Sequence, residues 1–204
     1  MKRYTLALGI LYVLAGAGFA ADPPQRFDGL GPHARKVTTA NAECQAFFDQ
    51  GLNFLFAFNH DEAIRSFARA TELDPKCAMA WWGLATANGP HINNPMVPPE
   101  RGKAGIVAAT KAQALAAAGT PAEKALAAAA VVRFADPPPE DRTKLDQAYA
   151  TAMRAAWKQF PQDVDVGALC AEAIMDLRPW DLWGPDRSPR PDTPEILSTI
   201  EAVL

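Results

Sequence analysis

The stretch FNHDEAIRSFARATELDP, residues 58–75, decides the fold because it holds the beginning, the buried face and the end of one α-helix. Asn59 stands three residues before Glu62, which is the spacing of a capping box in the first turn of a helix. Pro75 cannot continue a helix, so it marks the end. Between these signals, small and aromatic residues recur every three or four positions and therefore share one helix face. They are Ala63, Phe67 and Ala70.

A second helix precedes this one, and the two carry matching small and large residues. Gly51 and Ala63 are small at positions where two helices must approach each other closely. Phe54 and Phe67 are large enough to fill the space beside them. The pattern predicts an antiparallel hairpin of two helices whose facing sides form the core.

This hairpin resembles the tetratricopeptide repeat (TPR), a 34-residue unit with aromatic and small signature residues and a closing proline. Counted from Cys44, the residues at the signature positions are Phe47, Gly51, Phe54, Ala63, Phe67, Ala70 and Pro75. The chain departs from the family at Gln50, where the repeat prefers leucine. A second repeat is expected to begin at Ala78, and the signature residues of its first helix are Trp81, Leu84 and Ala85. The register is then lost in the proline-rich loop 88–99.

The rest of the chain also reads as helix, because no run alternates with a period of two and prolines divide it into segments. Thr120 and Thr193 each stand before a proline, as N-cap residues often do. The predicted helices are 43–57, 61–73, 77–88, 100–118, 121–134, 140–159, 163–177 and 194–204. The expected fold is all-α: an antiparallel helix-hairpin solenoid of about four pairs, with the right-handed superhelix that the TPR resemblance implies. Its repeat domain is 43–204, with a strong repeat at 44–77, an interrupted one at 78–118 and degenerate ones at 121–204.

The first twenty residues have the composition of a secretory signal peptide. Lys2 and Arg3 precede an uncharged apolar run, and Gly18 and Ala20 have the spacing that a signal peptidase recognises. An uncleaved anchor is the alternative, but the run is shorter than the ~20 apolar residues of a membrane span. We expect cleavage after Ala20 and export to the periplasm or beyond, with residues 21–42 forming a Pro/Gly-rich lead. No later apolar stretch is long enough to cross a membrane.

Longer strings, among them AFNHDEAIRSFARATELDPKCAMAWWG (57–83), are similar to a group of exported bacterial TPR proteins whose members continue well beyond this length. The last predicted helix carries an apolar stripe at Ile196, Ile200 and Val203, and no polar closing helix follows it. End repeats normally need a polar outer face. We therefore expect the natural chain to continue past Leu204, or a partner to complete the solenoid.

Composition and motifs argue against several classes of function. The formal net charge is −3 and there is no block of basic residues, so a nucleic-acid surface is not expected. No GxSxG or HExxH motif and no Gly-rich phosphate loop occurs, so we expect neither an enzyme nor a cofactor. Cys44 and Cys77 fall at the same end of the first hairpin, where a disulfide would need favourable geometry. Cys170 would then be the odd thiol, packed as a small apolar residue.

The TPR resemblance also implies where a partner would bind, because the first helices of successive repeats line an inner groove. The register places in that groove Gln45, Phe48, Leu52, Leu55, Phe56, Met79, Trp82, Thr86, Asp165, Ala168, Glu172 and Met175. Trp81 is expected between the hairpins, while its neighbour Trp82 faces the groove. So large an apolar wall needs a cover: a protein or peptide partner, the lead or the protein's own C-terminal region. The expected function is a protein–protein interaction scaffold.

The competing hypothesis is a metal- or small-ligand-binding protein, with chemistry in a missing C-terminal half. Turns within the hairpins of a solenoid stack along one edge. The residues with ligand chemistry on that edge are His60, His91, Met96, Trp180, Asp181 and Trp183. Two histidines and a methionine would suit copper, although histidines that brace their loops explain the same residues. The tryptophans either hold their loop onto the helices or form an aromatic platform for a ligand.

Overall fold

The computed structural model describes residues 24–204, which form eight α-helices, one short 3₁₀ turn and no β-strand. The helices are α1 (Ala42–Phe56), α2 (His60–Leu73), α3 (Ala78–Asn88), α4 (Pro99–Leu115), α5 (Pro121–Val132), α6 (Thr143–Gln159), α7 (Val164–Met175) and α8 (Thr193–Val203). The all-helical class is therefore confirmed, and each helix ends within three residues of its predicted bounds. The predicted signal peptide lies outside the described residues.

Two of the three predicted N-cap residues cap their helices in the structure, and the third does not. Asn59 caps α2, and Thr120 forms a complete capping box with Glu123 at the start of α5. Thr193 is not a cap, contrary to the prediction. It is the first residue of α8, and its hydroxyl donates to the carbonyl of Leu182, 2.5 Å away, because the preceding loop folds back against the helix.

The helices pack mainly against their neighbours along the chain, from α1 on α2 through to α7 on α8. In addition, α3 packs against both α1 and α5. Helix α3 is therefore surrounded on several sides, which explains why it is apolar almost all round. Within residues 24–204, no helix combines the length and apolar character that crossing a membrane requires.

The exposure of the two adjacent tryptophans is the reverse of the prediction. Trp82 is 2% exposed and lies in the core, whereas Trp81 is only partly buried. The indole Nε1 of Trp81 donates to the carbonyl of Pro75, 3.0 Å away, and its ring lies beneath the ammonium of Lys111. Helix α3 packs against α1, α2, α4 and α5, and this packing leaves Trp82 buried and Trp81 near the surface.

The ring of Phe67 is the centre of the first hairpin and its contact with α3. A Cβ atom placed on Gly51 would lie 2.8 Å from this ring, and one placed on Gly83 would overlap it. The two glycines thus let α1 and α3 both approach the same aromatic ring closely. The other signature residues that are fully buried are Phe47, Phe54, Ala63, Ala70 and Ala85, while Leu84 is partly buried and Pro75 is exposed after α2.

The cysteines are buried free thiols in the structure, so the disulfide considered from the sequence is not formed in it. The hairpin does bring Cys44 and Cys77 together. The Cys44 thiol donates a hydrogen bond to the sulfur of Cys77, which raises the pKa of Cys44 and lowers that of Cys77. Cys170 lies in α7, and burial raises its pKa to about 11, which suits the packing role expected of it.

Candidate binding cavity

A cavity of ≈ 260 Å³ lies where the C-terminal ends of α1 and α3 meet the side of α7. We call it the α1–α7 cavity. Its walls are mostly apolar, and a few polar side chains converge on it, which is the composition of ligand sites in general. The lining residues are Leu55, Phe56, Phe58, His60, Thr86, Pro90, His91, Ile92, Arg133, Ala168, Leu169, Ala171, Glu172, Met175, Ile200 and Val203.

One wall of the cavity is aromatic and is built by two loops. His60 begins α2 and His91 follows α3, and their rings stack with centroids 3.9 Å apart and planes inclined by 13°. The ring of Phe58 lies 6.0 Å from both. Phe58 has φ 59°, a left-handed conformation that is uncommon for a bulky residue. It is also 49% exposed, so this strained residue presents its ring at the cavity rim.

Both histidines of the stack are neutral near pH 7. Burial lowers the pKa of His60, and burial together with the neighbouring His60 and Arg133 lowers the pKa of His91 to about 4. The Nδ1 of His60 donates to the carbonyl of Phe58 at 3.1 Å. The Nδ1 of His91 is buried and has no hydrogen-bond partner among the described residues. This imidazole nitrogen is therefore buried without a hydrogen bond in the described chain.

The cation at the base of the cavity is already compensated. The side chain of Arg133, which follows α5, is 3% exposed and donates to the carboxylate of Asp176 at 2.8 Å. The same nitrogen donates to the carbonyl of Pro90 at 2.7 Å, and the guanidinium lies 4.1 Å from the centre of the Tyr149 ring. Arg133 thus holds the loop after α3 to the end of α7.

Glu172 lies on α7 and lines the same cavity. Unlike Arg133, it has no ion-pair partner within residues 24–204. Burial raises the pKa of its carboxyl group to about 7; nearby Arg133 opposes the rise and Asp176 adds to it. The nearby backbone N–H of Ile92 also favours the ionised form and so opposes the rise. A carboxyl group that changes charge near neutral pH inside an apolar cavity is a mark of functional sites.

The predicted loop-edge ligands are not brought together as a metal site. No three His, Cys, Asp or Glu side chains within the described part of the chain are placed to hold one metal ion. The stacked rings of His60 and His91 face each other and do not point at a common centre. Met96 is 63% exposed and lies in a separate depression beside Arg142, so it does not join the histidines.

The tryptophans of the loop before α8 do not hold it in place. Trp180 is 76% exposed and Trp183 is also exposed. The loop is held instead by Arg190, which donates to Asp181 at 2.8 Å, and by Leu182, which packs against the core. The sequence offered both a structural and a ligand-platform role for the tryptophans, and the structure excludes the structural role.

The N-terminal lead runs along α1 and reaches the N-terminal ends of α5 and α7. Arg35 donates to Asp163, with distances of 2.6 and 2.8 Å, and to Asp165 at 2.9 Å. These aspartates begin α7. The backbone N–H of Thr38 donates to Glu123 of α5 at 2.7 Å, and Val37 between these contacts is fully buried. The lead therefore joins α1, α5 and α7 on one side of the molecule.

The predicted groove is divided between the core and the cavity. Phe48, Leu52, Met79 and Trp82 lie inside the core, so the expectation of one continuous open wall is wrong for them. Phe48, for example, turns its ring to Phe67 of α2, with centroids 5.6 Å apart. The residues that do reach the cavity lie near the C-terminal ends of α1 and α3 and along α7. They are Leu55, Phe56, Thr86, Ala168, Glu172 and Met175.

The other two predicted groove residues on these helices contact the lead. Gln45 donates to the carbonyl of Arg35 at 2.8 Å, and Asp165 binds both Arg35 and His33. Sequence reasoning missed Phe58 and Arg133 altogether. The available signal for Arg133 was its position as a lone charge after an alanine-rich apolar helix.

No family model matches the chain, and no curated protein or solved structure is significantly similar to it. Function is therefore inferred from the cavity itself.

Proposed function

We propose that this chain is an exported TPR-like repeat protein that acts as an interaction scaffold and anchors a partner segment in the α1–α7 cavity. One observation carries the proposal: the cavity has exposed aromatic residues at its rim, apolar walls and an unpaired carboxyl group inside. Exposed apolar surface with this arrangement is typical of a binding site.

The repeat assignment is supported by how the helices pack. Neighbouring helices pack in chain order, and α1, α3 and α5 also form a row, as the first helices of stacked repeats do. The signature residues Phe67, Gly51 and Ala63 occupy the contact between the two helices of the strong repeat. In such an array the row of first helices faces inward. The cavity lies at the C-terminal ends of the helices in this row.

A binding role fits the cavity better than a catalytic one. His60 and His91 stack on each other, and neither is in hydrogen-bond contact with a serine or cysteine side chain in the described chain. Ser66, the serine of the strong repeat, is buried and accepts a hydrogen bond from Gln50. Nucleophilic catalysis needs a nucleophile within reach of its base.

The test is a binding measurement with a variant that fills the cavity. Partners are captured from the exported fraction of the source cells, identified, purified and titrated against the chain by calorimetry. Ala168→Phe places a ring in the cavity and is expected to weaken binding at least tenfold, by roughly 1.4 kcal/mol or more. Val107→Ala, at an exposed position of α4 outside the cavity lining, is the matched control and should bind like the wild type.

Thermal unfolding shows whether Ala168→Phe still folds. A folded Ala168→Phe variant with wild-type affinity would show that the cavity is not the site, and the proposal would be wrong. Saturation of the cavity by a small molecule from the same fraction, with no protein bound, would favour the competing small-ligand function. The mostly apolar lining with a few convergent polar groups is the observation that supports this second candidate.

A further inference from the structure

We infer that the α1–α7 cavity takes the side chain of a lysine presented by the partner polypeptide, with its ammonium group on Glu172. This inference rests on the proposed function, because it names the chemistry of the segment that the scaffold anchors.

The shape and lining of the cavity fit a long apolar stem that ends in a polar head. Leu169, Met175 and Val203 contribute apolar walls, and the carboxyl group of Glu172 lies among them. Lysine buries its methylene chain against apolar surface while its ammonium group seeks polar partners. A wholly apolar side chain would leave an ionised Glu172 without a countercharge, which is costly for a charge in apolar surroundings.

The charges around the cavity select a cation. Arg133 is paired with Asp176 at 2.8 Å, so the two charges largely cancel. Glu172 then contributes the uncompensated charge of the lining. An anionic side chain would be placed beside this carboxylate, whereas an ammonium group would form a charge-assisted hydrogen bond with it.

The aromatic wall adds attraction for the same head group. Phe56 and Phe58 line the cavity and are partly exposed, and aromatic rings attract cations. His60 and His91, which line the cavity, are both neutral near pH 7 because the pKa of each is lowered. Neutral histidines do not repel the cation.

The chain's own lead is a basic segment that binds carboxylates away from the cavity, at the beginning of α7 and along α1. Residues 33–38 read HARKVT, and they lie over carboxylates of the helices that also form the cavity. Arg35 is held by Asp163 and Asp165, and the backbone of Arg35 donates to Asp49 of α1. Glu172 lies about two turns after Asp165 on the same helix, and no described hydrogen bond of the lead reaches it. A lysine from a partner would therefore extend an existing charge complementarity.

Binding should depend on pH through Glu172. The ionisable groups that surround it are Arg133 after α5, Tyr149 on α6, Asp176 after α7, and His60 and His91 in the two loops. Of these, Arg133 and Asp176 are paired, the pKa of Tyr149 is raised to about 12 by burial, and that of His91 is lowered to about 4. Between pH 5.5 and 8, the main change in the cavity is the ionisation of Glu172.

The experiment uses capped tripeptides Ala-X-Ala titrated into the purified chain and followed by NMR. X is lysine, norleucine or glutamate, so the stem is kept while the head group changes. At pH 8 the lysine peptide is expected to bind about tenfold more tightly than the norleucine peptide, and the glutamate peptide most weakly. At pH 5.5 the lysine preference should shrink, because Glu172 is protonated.

The variant Glu172→Gln should abolish the lysine preference and leave norleucine affinity unchanged. Glu201→Gln, an exposed acid on α8 outside the lining, removes the same formal charge and should keep the preference. Equal binding of lysine and norleucine to the wild type, or a lysine preference that survives Glu172→Gln, would overturn the inference. Tighter binding of n-butylammonium than of the lysine peptide would also overturn it, since a free amine would then be the ligand.

The two levels of the hypothesis fail differently. If Ala168→Phe abolishes binding of the lysine and norleucine peptides alike and the two bind the wild type equally, the cavity is a binding site and the lysine assignment is wrong. If a folded Ala168→Phe variant binds the purified partner and the peptides as the wild type does, the proposed function itself is wrong.

Discussion

At the scale of single residues, Glu172 gives the clearest link between ionisation and stability. Its pKa is raised by burial to about 7 in the folded protein, against about 4.3 in an unfolded chain. A raised pKa means that the folded state holds the proton more tightly. The contribution to stability is therefore present below about pH 4 and is lost as the pH rises toward 7.

We predict that Glu172→Gln is more stable than the wild type at pH 8, by about 1–3 kcal/mol, and little different at pH 4.5. Urea unfolding at the two pH values measures the difference. His91 has the opposite dependence, since its lowered pKa removes stability as the pH falls from about 6.5 toward 4. Comparing variant with wild type cancels the contribution of His91. The same stability difference at both pH values would refute the role given to Glu172.

The left-handed backbone conformation of Phe58 can also be tested by mutation. Its φ of 59° costs an L-residue roughly 1–2 kcal/mol that glycine avoids. We predict that Phe58→Gly is about 1 kcal/mol more stable than Phe58→Ala in urea unfolding, because both lose the ring and only glycine relieves the strain. Both variants should bind the partner more weakly than the wild type. Equal stability of the two would mean that the left-handed conformation is not strained.

At the scale of helices, the contact of α2 with α3 depends on a missing side chain. A Cβ atom on Gly83 would overlap the ring of Phe67, which is fully buried and has no space to move. We predict that Gly83→Ala destabilises the protein by about 1–3 kcal/mol, as overpacking does in cores.

Gly102 is the matched control for Gly83. It lies in helix α4, where the nearest atoms to an added Cβ are 3.7 Å away, an ordinary contact. Gly102→Ala should therefore gain helix propensity and stabilise the protein by up to ~1 kcal/mol. Thermal or urea unfolding of both variants tests the pair. A Gly83→Ala variant that is as stable as Gly102→Ala would contradict the close approach.

The helices were predictable because their signals are local. Caps such as Thr120 and stops such as Pro161 act within one turn, so the sequence alone gave their bounds closely. The burial of Trp82 was not predictable in this way, because it depends on how α3 packs between helices distant in the sequence. Part of the cavity lining was predictable: the repeat register assigned Ala168 and Glu172 to the binding groove, and both residues line the cavity. The position of Arg133 depended on a loop conformation that no repeat pattern specifies.

At the scale of the whole molecule, Arg35 ties the lead to α7. Burial alone would raise the pKa of Asp163, but its hydrogen bonds to Arg35 and the attraction between the two charges lower it overall. Arg35 is mostly buried, so its loss would leave two aspartates without their cation. We predict that Arg35→Ala costs roughly 2–4 kcal/mol of unfolding free energy and speeds amide exchange in residues 33–38.

Arg154 provides the comparison for Arg35. It also pairs with two carboxylates, Asp192 and Glu195, but all three side chains are substantially exposed. Arg154→Ala is expected to cost less than about 1 kcal/mol. Unfolding by urea gives the energies, and hydrogen exchange locates the change. Slow exchange in the lead of Arg35→Ala would mean that other contacts hold it in place.

The lead also has a consequence for how the molecule unfolds. An array of helical repeats can lose its end units one at a time, because each unit contacts only its neighbours. Here a hydrogen-bonded pair separated by 128 positions in the chain joins the segment before α1 to the beginning of α7. Opening either end breaks this long-range closure, so fraying of one end is coupled to the other. The contact between the lead and α7 should therefore make the hairpins unfold as a single cooperative unit. It should also slow folding, because a long loop must close before this contact can form.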